Sequence, residues 1–375
     1  MHPLIELAQV FGWLGMTAFG GPGVHLALFR DEFVSRRHWL TGSRYMDLLG
    51  AANLLPGPTS TEVAIGIGRE RAGWPGMLVA GISFILPASL VVLLLAVLYE
   101  RLGALPQMRW LLYGIQPVVV AIIVRALASL APVALRRRAA WLIASAAVLL
   151  AVLGVHPLVV LGGGALVMLL VRRAVGPMAV VMTSLAHPRG LLLIVAGAGT
   201  LGLVGLFVTF LGIGALTFGS GYLLLAFLHQ AFVDPGLLTN QQLLDAVAVG
   251  QMTPGPLFTT ATFIGYLLEG LPGAVVATVA IFTPAFLLVG VLHPYLARMR
   301  RSPLLASALD GVNAAALGLL AAVAVTLARS ALVDGFALLL AIAAGIGLWR
   351  GVSPVWLLLG GGAAGLLVHA TGLVT

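Results

Sequence analysis

Two Pro-Gly-Pro triplets carry the residues of this chain best suited to chemistry. The first lies in Asn53-Leu54-Leu55-Pro56-Gly57-Pro58-Thr59-Ser60-Thr61-Glu62, the second in Gln251-Met252-Thr253-Pro254-Gly255-Pro256-Leu257-Phe258-Thr259-Thr260. Proline lacks an amide donor and favours the first turn of a helix, while glycine admits dihedrals that other residues avoid. Thr59, Ser60 and Thr61 are therefore expected in a first turn or at its cap. A helix N-terminus carries partial positive charge and unpaired amides, which suits an anion. Two such ends meeting from opposite sides would make a donor-rich pocket for a tetrahedral oxyanion. No buried lysine is needed, and the chain has none. The competing reading is that the breaks only let helices pack.

Glycine turns occupy equivalent places upstream of the two triplets, with Phe19-Gly20-Gly21-Pro22-Gly23 before the first and Phe218-Gly219-Ser220-Gly221 before the second. Both are expected to interrupt helices and to line the same cavity. Ionisable groups inside a membrane are functional candidates. Glu62 follows the first break, and its counterpart is the neutral Thr260. It could carry a coupling proton or pair with Arg69 or Arg71. His25 and Arg30 follow the first glycine turn, where Arg30 could meet an anion at the cytoplasmic mouth. Asp47 and Asp245 precede the two breaks and read as helix N-caps. Enzyme motifs are poor. Gly219-Ser220-Gly221 lacks the flanks of a nucleophile elbow, no HExxH spacing occurs, and a P-loop is excluded by the missing lysine. No cofactor or metal is expected.

These residues need elements to hold them, and composition says what surrounds those elements. Of 375 residues, 61% are hydrophobic and 9% charged, and the mean hydropathy is +1.10. A soluble globule cannot hide that much apolar side chain. The solvent is lipid. With no cysteine, disulfides, iron–sulfur clusters and thiolate zinc sites are excluded. The formal charge of +8, all of its basic residues arginine, reads as anchoring of cytoplasmic loops rather than nucleic-acid binding. Met1–Leu7 has no basic region of the kind that opens a signal peptide.

A hydrocarbon core about 30 Å thick takes about 20 helical residues to cross. Apolar stretches of that scale run over 4–29, 75–99, 110–133, 139–154, 157–171, 190–229, 273–296, 309–328, 333–349 and 353–373, with the two interrupted segments 46–68 and 243–268 between them. Arginines cluster at Arg30/Arg36/Arg37/Arg44, Arg136–Arg138, Arg172/Arg173/Arg189 and Arg298/Arg300/Arg301, all placed in the cytoplasm by the positive-inside rule. Arg69 and Arg71 then fall on the side of Arg36 and Arg37. That follows if 46–68 enters the membrane and returns as a re-entrant hairpin.

The chain also resembles itself. Phe19-Gly20 aligns with Phe218-Gly219, Asp47 with Asp245, Pro56-Gly57-Pro58 with Pro254-Gly255-Pro256, Gly73 with Gly270, Pro87-Ala88 with Pro284-Ala285, and Gly114 with Gly311. The offset drifts only from 199 to 197. Loop 30–44 is rich in arginine and its counterpart 229–243 has none, whereas 99–109 is weakly basic and 296–308 strongly so. Reversed charge bias means an inverted repeat with an odd number of crossings per half, five by the count above. Such repeats place substrate near the midplane between broken elements. The expected architecture is an all-α polytopic membrane protein of about ten transmembrane helices. It is an inverted 5+5 repeat with two re-entrant Pro-Gly-Pro segments: 1–175, a cytoplasmic linker 176–190, and 191–375.

The run Phe19-Gly20-Gly21-Pro22-x-x-His25 with Phe29-Arg30-x-Glu32-Phe33-Val34-x-Arg36-Arg37-x-Trp39-Leu40 resembles the N-terminal signature of the chromate ion transporter family. So do Leu55-Pro56-Gly57-Pro58-x-Ser60-Thr61, Ile67-Gly68, Arg71-Ala72-Gly73 and Phe84-x-Leu86-Pro87, with Phe218-Gly219 and Thr253-Pro254-Gly255-Pro256 in the second half. Both halves take part, as in the long, two-domain type. The resemblance implies a multi-pass protein of the cytoplasmic (inner) membrane that exports chromate, driven by membrane potential or the proton gradient. Asn53 and Glu62 depart from the glutamines of the family pattern, which leaves sulfate or another oxyanion open as substrate. A passive anion channel and an enzyme acting on lipid headgroups are the rivals from other classes. The expected partners are the oxyanion and the lipid bilayer, with a homodimer left open and no nucleic acid.

Overall fold

In lipid every backbone amide and carbonyl must be paired within the protein, and helices do this within one segment. The computed structural model describes residues 2–19, 21–103, 105–171, 202–218, 221, 223–292 and 302–371. Among these, fourteen α-helices form and no strand does; the one β-type contact is an isolated bridge between Pro56 and Phe218. Gly20, Gly219, Ser220, the 176–190 linker and the arginines at 172, 173, 189, 298, 300 and 301 lie outside the described residues, as does the start of the 190–229 stretch.

The first seven helices are α1 (Pro3–Thr17), α2 (Gly21–Arg30), α3 (Gly42–Ala52), α4 (Thr59–Leu102), α5 (Pro106–Ala134), α6 (Arg138–Val152) and α7 (Pro157–Val171). The second seven are α8 (Leu203–Leu216), α9 (Leu224–Leu228), α10 (Asn240–Met252), α11 (Thr260–Leu292), α12 (Pro303–Ala331), α13 (Gly335–Trp349) and α14 (Pro354–Thr371). Among the described residues, five helical segments are long and apolar enough to cross a membrane: Thr59–Leu102, Gln107–Ala134, Leu257–Leu292, Pro303–Ala331 and Pro354–Thr371. The 4–29 stretch is not one helix. Its chain leaves α1 at Ala18 and re-enters helix at Gly21.

Local features recur at the offset found in the sequence. Both α2 and α9 run on into a π-helical turn, Asp31–Arg36 and His229–Val233. Both long helices kink at one place, α4 at Ala72-Gly73 (Gly73 φ 61°, ψ −147°) and α11 at Glu269-Gly270 (Gly270 φ 61°, ψ −150°). Caps are a correction to the sequence reading. Thr41 and Thr239 cap α3 and α10, the latter through a reciprocal box with Gln242, while Asp47 and Asp245 lie a turn or more inside. The threonine hydroxyl reaches the amide three residues on; an aspartate deeper in the helix has no free amide in reach.

The halves are not separate lobes. Helix α5 packs against α13 and α14, and α12 packs in the same way against α6 and α7. Glycines permit these crossings. A Cβ on Gly114 would lie 2.0 Å from the carbonyl oxygen of Gly361, and one on Gly311 would lie 2.2 Å from that of Gly164. Backbone meets backbone there, the small-residue contact by which helices associate in lipid.

Charged groups collect at one end. Glu6 bonds Arg37 (2.9 Å) and Arg71 (3.3 Å), and Glu32 bonds Arg36 (2.8 Å) and Arg37 (2.6 Å). Arg44 pairs with Glu70. The last pair ties the start of α3 to the kink in α4, so the limb 59–71 runs back toward the level at which α3 began.

Candidate functional site

Each Pro-Gly-Pro is followed by a helix whose N-cap is proline without a side-chain cap: Pro58 before α4, and Pro256 before the 3-10 turn Leu257–Thr259 that leads into α11. Among the other described helices, His2, Thr41, Thr239, Ser302 and Asp334 cap theirs through a side chain, while Leu105, Arg137 and Gly202 make no such bond. At the two breaks the first-turn amides are left to something other than a capping side chain.

The breaks are stitched crosswise. The Gly57 amide donates to the Thr217 carbonyl at 2.7 Å, and the Gly255 amide donates to the Ala18 carbonyl at 3.0 Å. Ala18 ends α1 and Thr217 ends α8, so each triplet holds the helix end before the other half's glycine turn. A Cβ on Gly57 would lie 3.4 Å from that of Ala285, and one on Gly255 would lie 2.6 Å from that of Ala88, another reciprocal pair. His25 is fully buried and its Nε2–H donates to the same Ala18 carbonyl at 3.0 Å, with its ring edge-on to Phe84. It braces the stitch. Arg30 is exposed at the C-terminal end of α2.

A cavity of about 410 Å³ opens beside the first break, with Asn53, Thr59 and Asn313 as its polar lining and Phe218, Leu223 and Leu317 among its apolar walls. At about 30 Å³ per water it holds roughly fourteen, room for a tetrahedral oxyanion and part of its hydration shell. None of its described lining residues is charged. Amide and hydroxyl donors can hold a dianion there without the tight ion pair that would hinder release.

The two breaks differ in what their side chains do. Thr253 and Thr259 donate to the Gly250 and Pro256 carbonyls, and Thr260 donates to that of Leu257 at 2.7 Å. Those hydroxyls serve their own backbone, and Gln251 is buried beside them. In the first half Ser60, Thr61 and Glu62 are buried, and neither the Thr61 hydroxyl nor either Glu62 oxygen has a hydrogen-bond partner among the described residues. The ion pair considered for Glu62 is not formed. Arg69 donates to the carbonyls of Val289 and Gly290 and stacks on Trp74, while Arg71 turns to Glu6. A buried ionised carboxylate with no partner is costly, so this carboxyl is the least satisfied group at the break.

The structure thus brings Asn53, Pro56 and Thr59 together with Phe218, joins Gly57 to Thr217 and ties Gly255 to Ala18. Gly21 opens α2. Sequence reasoning missed Asn313. Its signal was present: Gln116 and Asn313 are polar amides in apolar helices at the repeat offset of 197.

A family model described as "Chromate transporter" matches residues 5–169 and 204–366. A probable chromate transport protein of Synechococcus elongatus is 33% identical over 93% of this chain and 92% of its own. Chromate transport proteins of Cupriavidus metallidurans and Pseudomonas aeruginosa are 33% and 32% identical, over 89% and 97% of this chain and 84% and 92% of theirs. No solved structure matches.

Proposed function

We propose a mechanism from one premise: this chain belongs to the chromate transporter family. Proteins of that family are transporters, not enzymes, and the chain is a multi-pass membrane protein. On our reading it exports chromate, or a closely similar oxyanion, across the cytoplasmic membrane. The oxyanion enters the cavity at Asn53, Thr59 and Asn313 and is held by neutral donors and the uncapped first turn of α4. That cavity carries the proposal. Its walls include Leu130, Val133 and Ala134 just ahead of Arg136–Arg138, so it faces the arginine-rich, cytoplasmic side.

The architecture that serves this is an inverted repeat, residues 1–175 and 191–375 joined by 176–190, with five crossings per half. Limb 59–71 has thirteen residues, about 20 Å at about 1.5 Å each, against a hydrocarbon core of about 30 Å. A limb that short returns rather than crosses, which supports a re-entrant hairpin. Export follows the membrane potential: each negative charge leaving gains about 2.3 kcal/mol per 100 mV, and a dianion about twice that. Glu62 lies three residues from Thr59, so oxyanion occupancy and Glu62 protonation are linked by repulsion. Export then depends on pH.

The test is radiolabelled chromate flux in inverted vesicles, with sulfate competition and imposed pH gradients. Saturable uptake with counterflow is expected; flux with neither means a passive channel. The chain has no native cysteine, so single cysteines at Trp39 and Leu237 report sidedness directly. Labelling of both from one compartment would overturn the inverted repeat.

A further inference from the structure

A second polar cavity, of about 650 Å³, lies at the other end of α5 and α12. Asp245 forms part of its wall and is 2% exposed. The Tyr99 hydroxyl donates to one Asp245 oxygen at 3.0 Å and the Gln116 side-chain amide donates to the other at 3.0 Å. Three helices, α4, α5 and α10, are thereby clamped by one carboxylate.

We propose that Asp245 is a proton-binding site reached from this cavity, and that its protonation drives the conformational step of transport. The inference rests on the transporter reading above. Both groups bonded to Asp245 are donors, an arrangement that suits a carboxylate with both oxygens accepting. A metal ion takes several oxygen ligands, and among the described residues no group of three or more His, Asp or Glu gathers here to hold one. When a proton passes from cavity water to the Asp245 oxygen facing Gln116, the new O–H points at an amide N–H that can only donate, and Gln116 must let go or flip. At the other oxygen the Tyr99 hydroxyl must turn its hydrogen away and accept instead. The clamp has two states.

Of the clamped helices, α10 leads to the stitched breaks and α5 to the oxyanion cavity. Helix α10 runs from Asp245 into the second Pro-Gly-Pro, whose Gly255 is stitched to Ala18. Helix α5 carries Gln116 at this cavity and Leu130, Val133 and Ala134 at the other. The other titratable groups on the cavity wall are Glu100 from α4 with Arg109 and Tyr113 from α5, while α11 and α12 contribute neutral side chains there. Tyr113 is itself tied to Asp334 at 2.7 Å. On the sidedness proposed above, this cavity faces the exterior.

The experiment uses purified full-length protein in proteoliposomes with the membrane potential clamped. Radiolabelled chromate accumulation is read against imposed pH gradients, and chromate counterflow without a gradient. For the wild type, accumulation should change about tenfold per pH unit for each coupled proton. Asp245→Asn should flatten that response and keep counterflow, and Asp245→Glu should restore it. A wild-type response in Asp245→Asn overturns the proposal. So does loss of both activities that Asp245→Glu fails to rescue, since that marks a packing role. Infrared difference spectra of the wild type and Asp245→Asn across pH supply a readout without chromate. A titrating carboxylic-acid band absent from the variant supports the site even where chromate flux fails, and an identical band in both overturns it.

Discussion

Gly57→Ala tests the crosswise stitch most directly. Gly57 has φ +140°, a conformation that side-chain-bearing residues adopt only at about 1–3 kcal/mol. If the backbone relaxes to escape that strain, the 2.7 Å bond to Thr217 goes with it, at about 1 kcal/mol. The new Cβ also starts 2.8 Å from Glu62 Oε1 and 3.4 Å from the Ala285 Cβ. Holding the native break therefore costs about 1–3 kcal/mol of strain, or roughly 5- to 140-fold at about 1.4 kcal/mol per decade, and relaxing away from it forfeits the stitch. Domains commonly hold about 5–15 kcal/mol of stability, so the variant should still fold and insert. Its break should not. The assay is the initial rate of chromate uptake into inverted vesicles, normalised to inserted protein, with monodispersity in detergent as the folding check. Gly255→Ala, at φ +97° and 2.6 Å from the Ala88 Cβ, should behave alike. Gly23→Ala, whose Cβ meets nothing within 4 Å, should transport normally. Wild-type rates in Gly57→Ala, or equal losses in Gly23→Ala, would refute the argument.

Three further outcomes are expected. Asn313→Leu removes one hydrogen bond to a charged ligand, about 1.5–3 kcal/mol, and should raise the apparent KM for chromate roughly 10- to 150-fold; an unchanged KM detaches α12 from the site. Glu62→Gln fixes a neutral side chain at the first break and should flatten the pH profile of export in the same vesicles. A profile identical to the wild type removes Glu62 from the mechanism. Gly311→Leu forces a side chain into the crossing of α7 and α12, where overpacking costs about 1–3 kcal/mol or more. It should lower the melting temperature in detergent, while Gly162→Ala, with open space around it, leaves the temperature unchanged.

Much of this was legible in the chain itself because it rests on local physics. A composition of 9% charged residues selects lipid. Proline and glycine disfavour helix, and both breaks and both kinks fall at such residues, although Pro75, Pro87, Pro272 and Pro284 are carried inside α4 and α11. The fourteen helices of the described residues follow from backbone pairing in an apolar solvent. Caps were misread because an aspartate near a helix start looks like a cap until the hydroxyl that reaches the amide is seen, as with Thr239.

Which residues meet across the molecule was decided only in three dimensions. Nothing in the local pattern pairs Gly57 with Thr217, or gathers Tyr99, Gln116 and Asp245 from three helices. Those meetings depend on how α5 and α12 cross the opposite half, and the crossings depend on backbone contact at Gly114–Gly361 and Gly164–Gly311. The repeated sequence laid down two sets of similar parts. Tertiary packing made them unequal, placing Asn313 beside the first break and burying Asp245 under two donors. A side chain's chemistry is set by what surrounds it, and those surroundings come from residues far away in the chain.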